Sequence, residues 1–145
     1  MIELTAFWVL SASILDTPLS LFIALWWGGL IAFLYFNVFP ARIFLGDVGA
    51  LSFGATMAVV GLMLGKAPAL AVIGGIFVIE VVSSLVQLLA KKYLGKKVFA
   101  AAPLHLWLQY HGWPEPKIVM RFWIIAIVLA IFGLWLALLL KPQLP

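Results

Sequence analysis

Ile118–Leu140 reads IVMRFWIIAIVLAIFGLWLALLL, a continuous apolar run in which Arg121 is the only charge. A hydrocarbon core about 30 Å thick is crossed by about 20 predominantly apolar residues in helical form, so this run is a membrane span. A barrel strand would instead alternate over about ten residues, a pattern absent here. Three more runs, Leu19–Phe36, Val48–Leu64 and Pro68–Ala90, are set off by proline, glycine or polar residues and are also long enough to cross. Ile2–Leu15 is short for a span and reads equally as the remnant of a longer helix, a tilted helix or an interfacial segment. The sequence therefore predicts an all-α polytopic membrane helix bundle, four or five transmembrane helices in a single domain over residues 1–145.

Composition supports that reading from outside the runs. The chain is 66% hydrophobic and 10% charged, with mean hydropathy +1.22, whereas soluble domains average about 45–50% apolar and 25% charged residues. The net charge of +4 does not indicate nucleic acid, because the basic residues flank apolar runs as juxtamembrane charges do. With no cysteine, disulfides, thiolate metal sites and a cysteine nucleophile are excluded. The first residues lack the Lys/Arg of a signal peptide and include Glu3, so they are not read as a cleaved signal.

Charge also orients the spans. Lys91, Lys92, Lys96, Lys97 and Lys117 follow the third run and Arg121 opens the next, which makes that side cytoplasmic. Counting crossings backward puts Lys66 outside and the Asn37–Asp47 connection inside, so the two polar connections face one aqueous compartment.

Three groups of polar residues then need a reason. Asp47, between Gly46 and Gly49 at the start of a predicted helix, reads either as an N-cap or as a ligand for a hard cation such as Mg²⁺ in company with a diphosphate. Glu80, with Ser83, Ser84 and Gln87 at helical spacing, forms a polar stripe that reads as interhelical glue or as the wall of a polar cavity. His105 lies downstream of four lysines, whose potential attracts phosphorylated substrates and anionic headgroups alike. His111 reads as structural, and Trp107, Trp113 and Trp123 as an interfacial aromatic belt.

FNVFPARIFLGDVGAL at Phe36–Leu51, GGIFVIEVVSSLVQ at Gly74–Gln87 and PLHLWLQYHGWPEPKIVMRFWII at Pro103–Ile125 carry a resemblance. In order and spacing they resemble bacterial phospho-N-acetylmuramoyl-pentapeptide transferase, over the C-terminal part of that longer family. The resemblance implies transfer of a phosphosugar-peptide from UDP-N-acetylmuramoyl-pentapeptide to undecaprenyl phosphate, with Mg²⁺, on the cytoplasmic face of the bacterial inner membrane. The product is the first lipid-linked peptidoglycan intermediate. It also implies Asp47 as the essential aspartate and metal ligand, Asn37 as the active-site asparagine, Phe44 as the ring that packs on uracil, and His105 as a catalytic residue contacting the diphosphate. The family's three consecutive histidines read His105-Leu106-Trp107 here, and its usual serine is Ala50.

The paired-aspartate motif and the uridine-binding loop of the family do not appear, so the chain alone is expected to be inactive. The implied partners beyond substrates and membrane lipid are a missing N-terminal half or a second copy of the chain. Rival expectations are a related polyprenyl-phosphate sugar-1-phosphate transferase, a non-catalytic membrane scaffold, and, least favoured, a transporter.

Overall fold

The computed structural model describes residues 1–139. Among them there are only helices: α1 (Ile2–Ser13), α2 (Thr17–Asn37), α3 (Gly46–Met63), α4 (Ala67–Ile73), α5 (Gly75–Tyr93), α6 (Leu104–Tyr110) and α7 (Glu115–Leu139). Three of these, α2, α3 and α7, are long and apolar enough to cross a membrane, in agreement with three of the expected spans. The protein is a multi-pass helical membrane bundle. At 12 residues, α1 is about 18 Å long at 1.5 Å per residue, too short to cross alone.

The expected span over Pro68–Ala90 corresponds to two helices rather than one. It is broken at Gly74 into α4 and α5, which meet at 81°. Gly74 ends α4, its N–H donating to the Leu70 carbonyl at 2.9 Å, and the next residue is again glycine. Two adjacent residues without Cβ stiffness make this the cheapest place along the run to turn the backbone. Counted as one bent span, α4 and α5 bring the crossings to four.

Packing explains why α4 stays with α7 while α5 leaves it. On α7, Ala126, Ala130, Gly133 and Ala137 are buried and recur every three or four residues, so one face of the helix is made of small side chains. A Cβ on Gly133 would lie 2.5 Å from Ile73 Cγ1 and 3.1 Å from the Ile73 backbone nitrogen, showing how closely α4 approaches that face. In lipid, where apolar burial gives little net drive to helix association, such close backbone approach supplies the attraction. Ile73 and the Ala69 carbonyl both meet Gly133, and just past the break Gly75 at the start of α5 faces Leu129. Beside them α1 packs against α2 and α7, and Leu4, Phe7, Leu10, Ile23, Val60 and Ile73 form the centre of the core. The buried Ser11 hydroxyl pairs with Ser20 at 2.7 Å, tying α1 to α2.

Candidate functional site

The loop between α2 and α3 is shaped by its own polar groups. Asn37 ends α2 and donates from Nδ2 to the Ile43 carbonyl at 2.8 Å, while the Arg42 N–H donates to the Phe36 carbonyl at 2.9 Å. Gly46 then adopts φ +65°, a left-handed conformation that favours glycine, and α3 begins. The Leu45 side chain folds back over Gly49, where a Cβ would come within 2.5 Å of it. These two glycines thus serve the turn and its packing.

Asp47 sits in the first turn of α3, but the N-cap position belongs to Leu45 and no side chain caps the helix. The capping reading of Asp47 is therefore corrected: its carboxylate is exposed and makes no hydrogen bond or ion pair among the described residues. Phe44, three residues before it, is 80% exposed. The loop consequently presents a bare carboxylate and an open aromatic ring side by side in sequence.

At the other region Glu80, Ser83 and Gln87 are engaged. The stripe on α5 holds the returning chain: Gln87 Oε1 accepts from the backbone N–H of Val98 and Phe99 at 3.1 and 2.9 Å, and its Nε2 donates to the Phe99 carbonyl at 3.0 Å. One turn earlier, Ser83 Oγ accepts from the Leu104 N–H at 3.1 Å. Glu80 Oε1 accepts from the His105 N–H at 3.1 Å, and Glu80 Oε2 lies 2.7 Å from His105 Nδ1. The result is a clasp that fixes the start of α6 against α5. Glu80 and His105 also line a cavity of about 600 Å³ between α5, α6 and α7. The cavity is otherwise mainly apolar, with Val81, Ile118 and Phe122 among its walls.

A second cavity of about 640 Å³ shares Ile76, Phe77, Val119 and Phe122 with the first and extends to Leu45, two residues before Asp47. Asn37, Phe44 and Asp47 line neither cavity, and no hydrogen bond or ion pair joins Asp47 to Glu80 or His105. His111 is structural, as expected: its Nδ1 donates to the Trp107 carbonyl at 2.8 Å and its ring lies 4.1 Å from that of Trp107. Lys117 and Arg121 each sit 4.5 Å from the Trp113 ring, so this tryptophan also carries cations.

Residues 1–65 match the family model described as Glycosyl transferase family 4. This is the family of phospho-N-acetylmuramoyl-pentapeptide transferase and related polyprenyl-phosphate sugar-1-phosphate transferases. The glycosyl transferase family 4 match contains Asn37, Phe44 and Asp47, whereas Glu80 and His105 lie beyond it. The match agrees with the resemblance carried by Phe36–Leu51, and the stretches Gly74–Gln87 and Pro103–Ile125 lie beyond it.

Sequence reading missed the partners of the α5 stripe. The spacing of Glu80, Ser83 and Gln87 announced a polar face, but nothing local pointed to its acceptors and donors 11 to 25 residues away. It also missed the small-residue face of α7, which was legible as Ala126, Ala130, Gly133 and Ala137 at helical spacing.

Among the described residues, no three His, Cys, Asp or Glu side chains converge on a point. At the α2–α3 loop the one carboxylate is that of Asp47. Magnesium keeps near-octahedral oxygen coordination and is commonly held by one or two carboxylates, waters and substrate phosphates. Among the described residues, a single carboxylate at this loop does not by itself make such a site.

Proposed function

We propose that the chain is the C-terminal part of a transferase that moves phospho-N-acetylmuramoyl-pentapeptide from UDP to undecaprenyl phosphate on the cytoplasmic face of a bacterial inner membrane. The observation that carries this reading is the family match over residues 1–65, within which Phe44 is exposed just before α3 and Asp47 in its first turn. In the reaction a lipid phosphate oxygen attacks the phosphorus bonded to the sugar, that bond to phosphorus forms, and the diphosphate bridge breaks with release of uridine monophosphate. The attacking phosphate is already ionised near neutral pH, so the chain's residues position and neutralise charge rather than abstract a proton.

Asp47 offers one oxygen to Mg²⁺, which when bound supplies charge neutralisation on the diphosphate. Phe44 offers a ring for the uracil face, and Asn37 holds the loop that presents both. His105 faces a diphosphate oxygen with the ring nitrogen that Glu80 does not occupy. Because the chain contributes a single acid at the loop, the remaining acids come from polypeptide outside these 145 residues.

The test is release of uridine monophosphate from UDP-N-acetylmuramoyl-pentapeptide with undecaprenyl phosphate and Mg²⁺. The 145-residue chain alone is expected to be silent, and the reading frame extended upstream is expected to be active and to lose activity with Asp47→Asn. Preferential competition by UDP-N-acetylglucosamine would assign the chain to a related sugar-1-phosphate transferase. An extended, folded protein without activity would favour the non-catalytic scaffold, a reading that the single acid also supports.

A further inference from the structure

We propose that Glu80 is a positioning residue for His105, holding the proton of the neutral imidazole on Nδ1 so that Nε2 is the nitrogen presented to the cavity. A carboxylate accepts hydrogen bonds and donates none. Both of its oxygens are used by one residue: Oε1 receives the His105 N–H at 3.1 Å, and Oε2 stands 2.7 Å from Nδ1. The first donor is fixed by the backbone, and the second contact requires a hydrogen on Nδ1. Glu80 is the less exposed partner, 17% against 43% for the His105 side chain, so the carboxylate sits inside the fold and the ring reaches outward from it. Ser83 grips the preceding Leu104 N–H at 3.1 Å, so backbone and ring are held from the same helix face. A ring fixed this way exchanges protons with its surroundings at Nε2 alone. When charged, it presents an Nε2–H to an anionic phosphate while Glu80 balances the imidazolium.

Glutamine at position 80 keeps the shape but has one acceptor and one donor group. Its oxygen satisfies the His105 N–H, and its amide then donates to Nδ1, which drives the imidazole proton to Nε2. The test is long-range ¹⁵N–¹H correlation on the ¹⁵N-labelled full chain in detergent micelles, at a pH where the rings are neutral. His105 is assigned by its loss in His105→Asn, and His111 serves as the internal reference. Wild-type His105 is expected in the Nδ1–H form, with Glu80→Gln switching it to Nε2–H and leaving His111 unchanged. An Nε2–H tautomer in the wild type, as a protonated Glu80 donating to Nδ1 would give, overturns the proposal even if the variant fails to fold. So does a tautomer that Glu80→Gln leaves unmoved. The phosphate contact rests on the transferase reading and is separable. Added inorganic pyrophosphate with Mg²⁺ is expected to shift Nε2 of His105 more than Nδ1. An intact Nδ1–H tautomer without that shift removes the phosphate contact and leaves the positioning role standing.

Discussion

The Asn37–Asp47 loop and the corner between α5 and α6 are both polar islands in an apolar chain, yet they hold their polar groups in opposite ways. Asp47 has no side-chain partner among the described residues and stands exposed at the start of α3. His105 is engaged through its backbone and its ring, and the turn beside it is gripped by Ser83 and Gln87. An unpartnered carboxylate at a membrane surface retains all its lone pairs for a ligand supplied from outside. A clasped imidazole has one nitrogen committed and one left to work with. The difference teaches that one polar region is ordered by bonds within the chain, while the other leaves its carboxylate open to groups from outside it.

The largest expected effect follows from the unpartnered side. In the upstream-extended enzyme, Asp47→Asn is expected to lower uridine monophosphate release on the order of 10²–10³-fold, the scale on which removing one electrostatic contact to developing charge is felt. Because the Asp47 side chain makes no hydrogen bond or ion pair, thermal unfolding in detergent is expected to change only by its helix-dipole contribution, a few tenths of a kcal/mol. Loss of activity accompanied by loss of fold would break the comparison, since Asp47 would then be a structural residue like those of the clasp.

How far the sequence showed this difference depends on the range of each interaction. The membrane helices α2, α3 and α7 were legible because each is a single apolar run, and length against bilayer thickness is a local property. The break at Gly74 was not, although Gly74 and Gly75 were visible. A glycine pair permits a bend, and the decision to bend comes from α7, whose small face holds α4 while α5 turns away. Asp47 was legible as a residue needing a reason. Its choice between cap and ligand was not, because that depends on Leu45 taking the N-cap place and Gly46 adopting φ +65°. The Glu80–His105 pair joins residues 25 apart in sequence. Each member had been picked out separately, by helical spacing for Glu80 and by its neighbours for His105, and only the fold could pair them.

A middle-sized effect is expected where the clasp is purely structural. Gln87→Ala removes the acceptor for the Val98 and Phe99 N–H groups and the donor to the Phe99 carbonyl. Unpairing a polar group costs about 1–3 kcal/mol when water cannot replace the partner. The Val98 contact is exposed and water restores it, so a loss of about 1 kcal/mol is expected, read as a lowered unfolding temperature. The His105 tautomer is expected to survive, because Glu80 and Ser83 hold residues 104 and 105 directly. A tautomer lost together with Gln87 would instead make the clasp one cooperative unit.

The smallest effect gives the sharpest contrast, because two aspartates stand at two helix starts in the same chain. Asp16 Oδ1 accepts from the Leu19 N–H at 3.1 Å and caps α2, whereas Asp47 lies inside the first turn of α3 with no such bond. Both carboxylates gain from the helix dipole, so that contribution largely cancels between them. What remains is the cap, and Asp16→Ala is expected to cost about 1 kcal/mol of stability. Asp47→Ala is expected to cost only the dipole contribution, a few tenths of a kcal/mol for an exposed group. Activity is expected to order the pair the other way, with Asp16→Ala near wild type and Asp47→Ala silent in the extended enzyme. Equal stability losses would show that Asp47 caps α3 after all, and the carboxylate taken here as reserved for a cation would have a structural use.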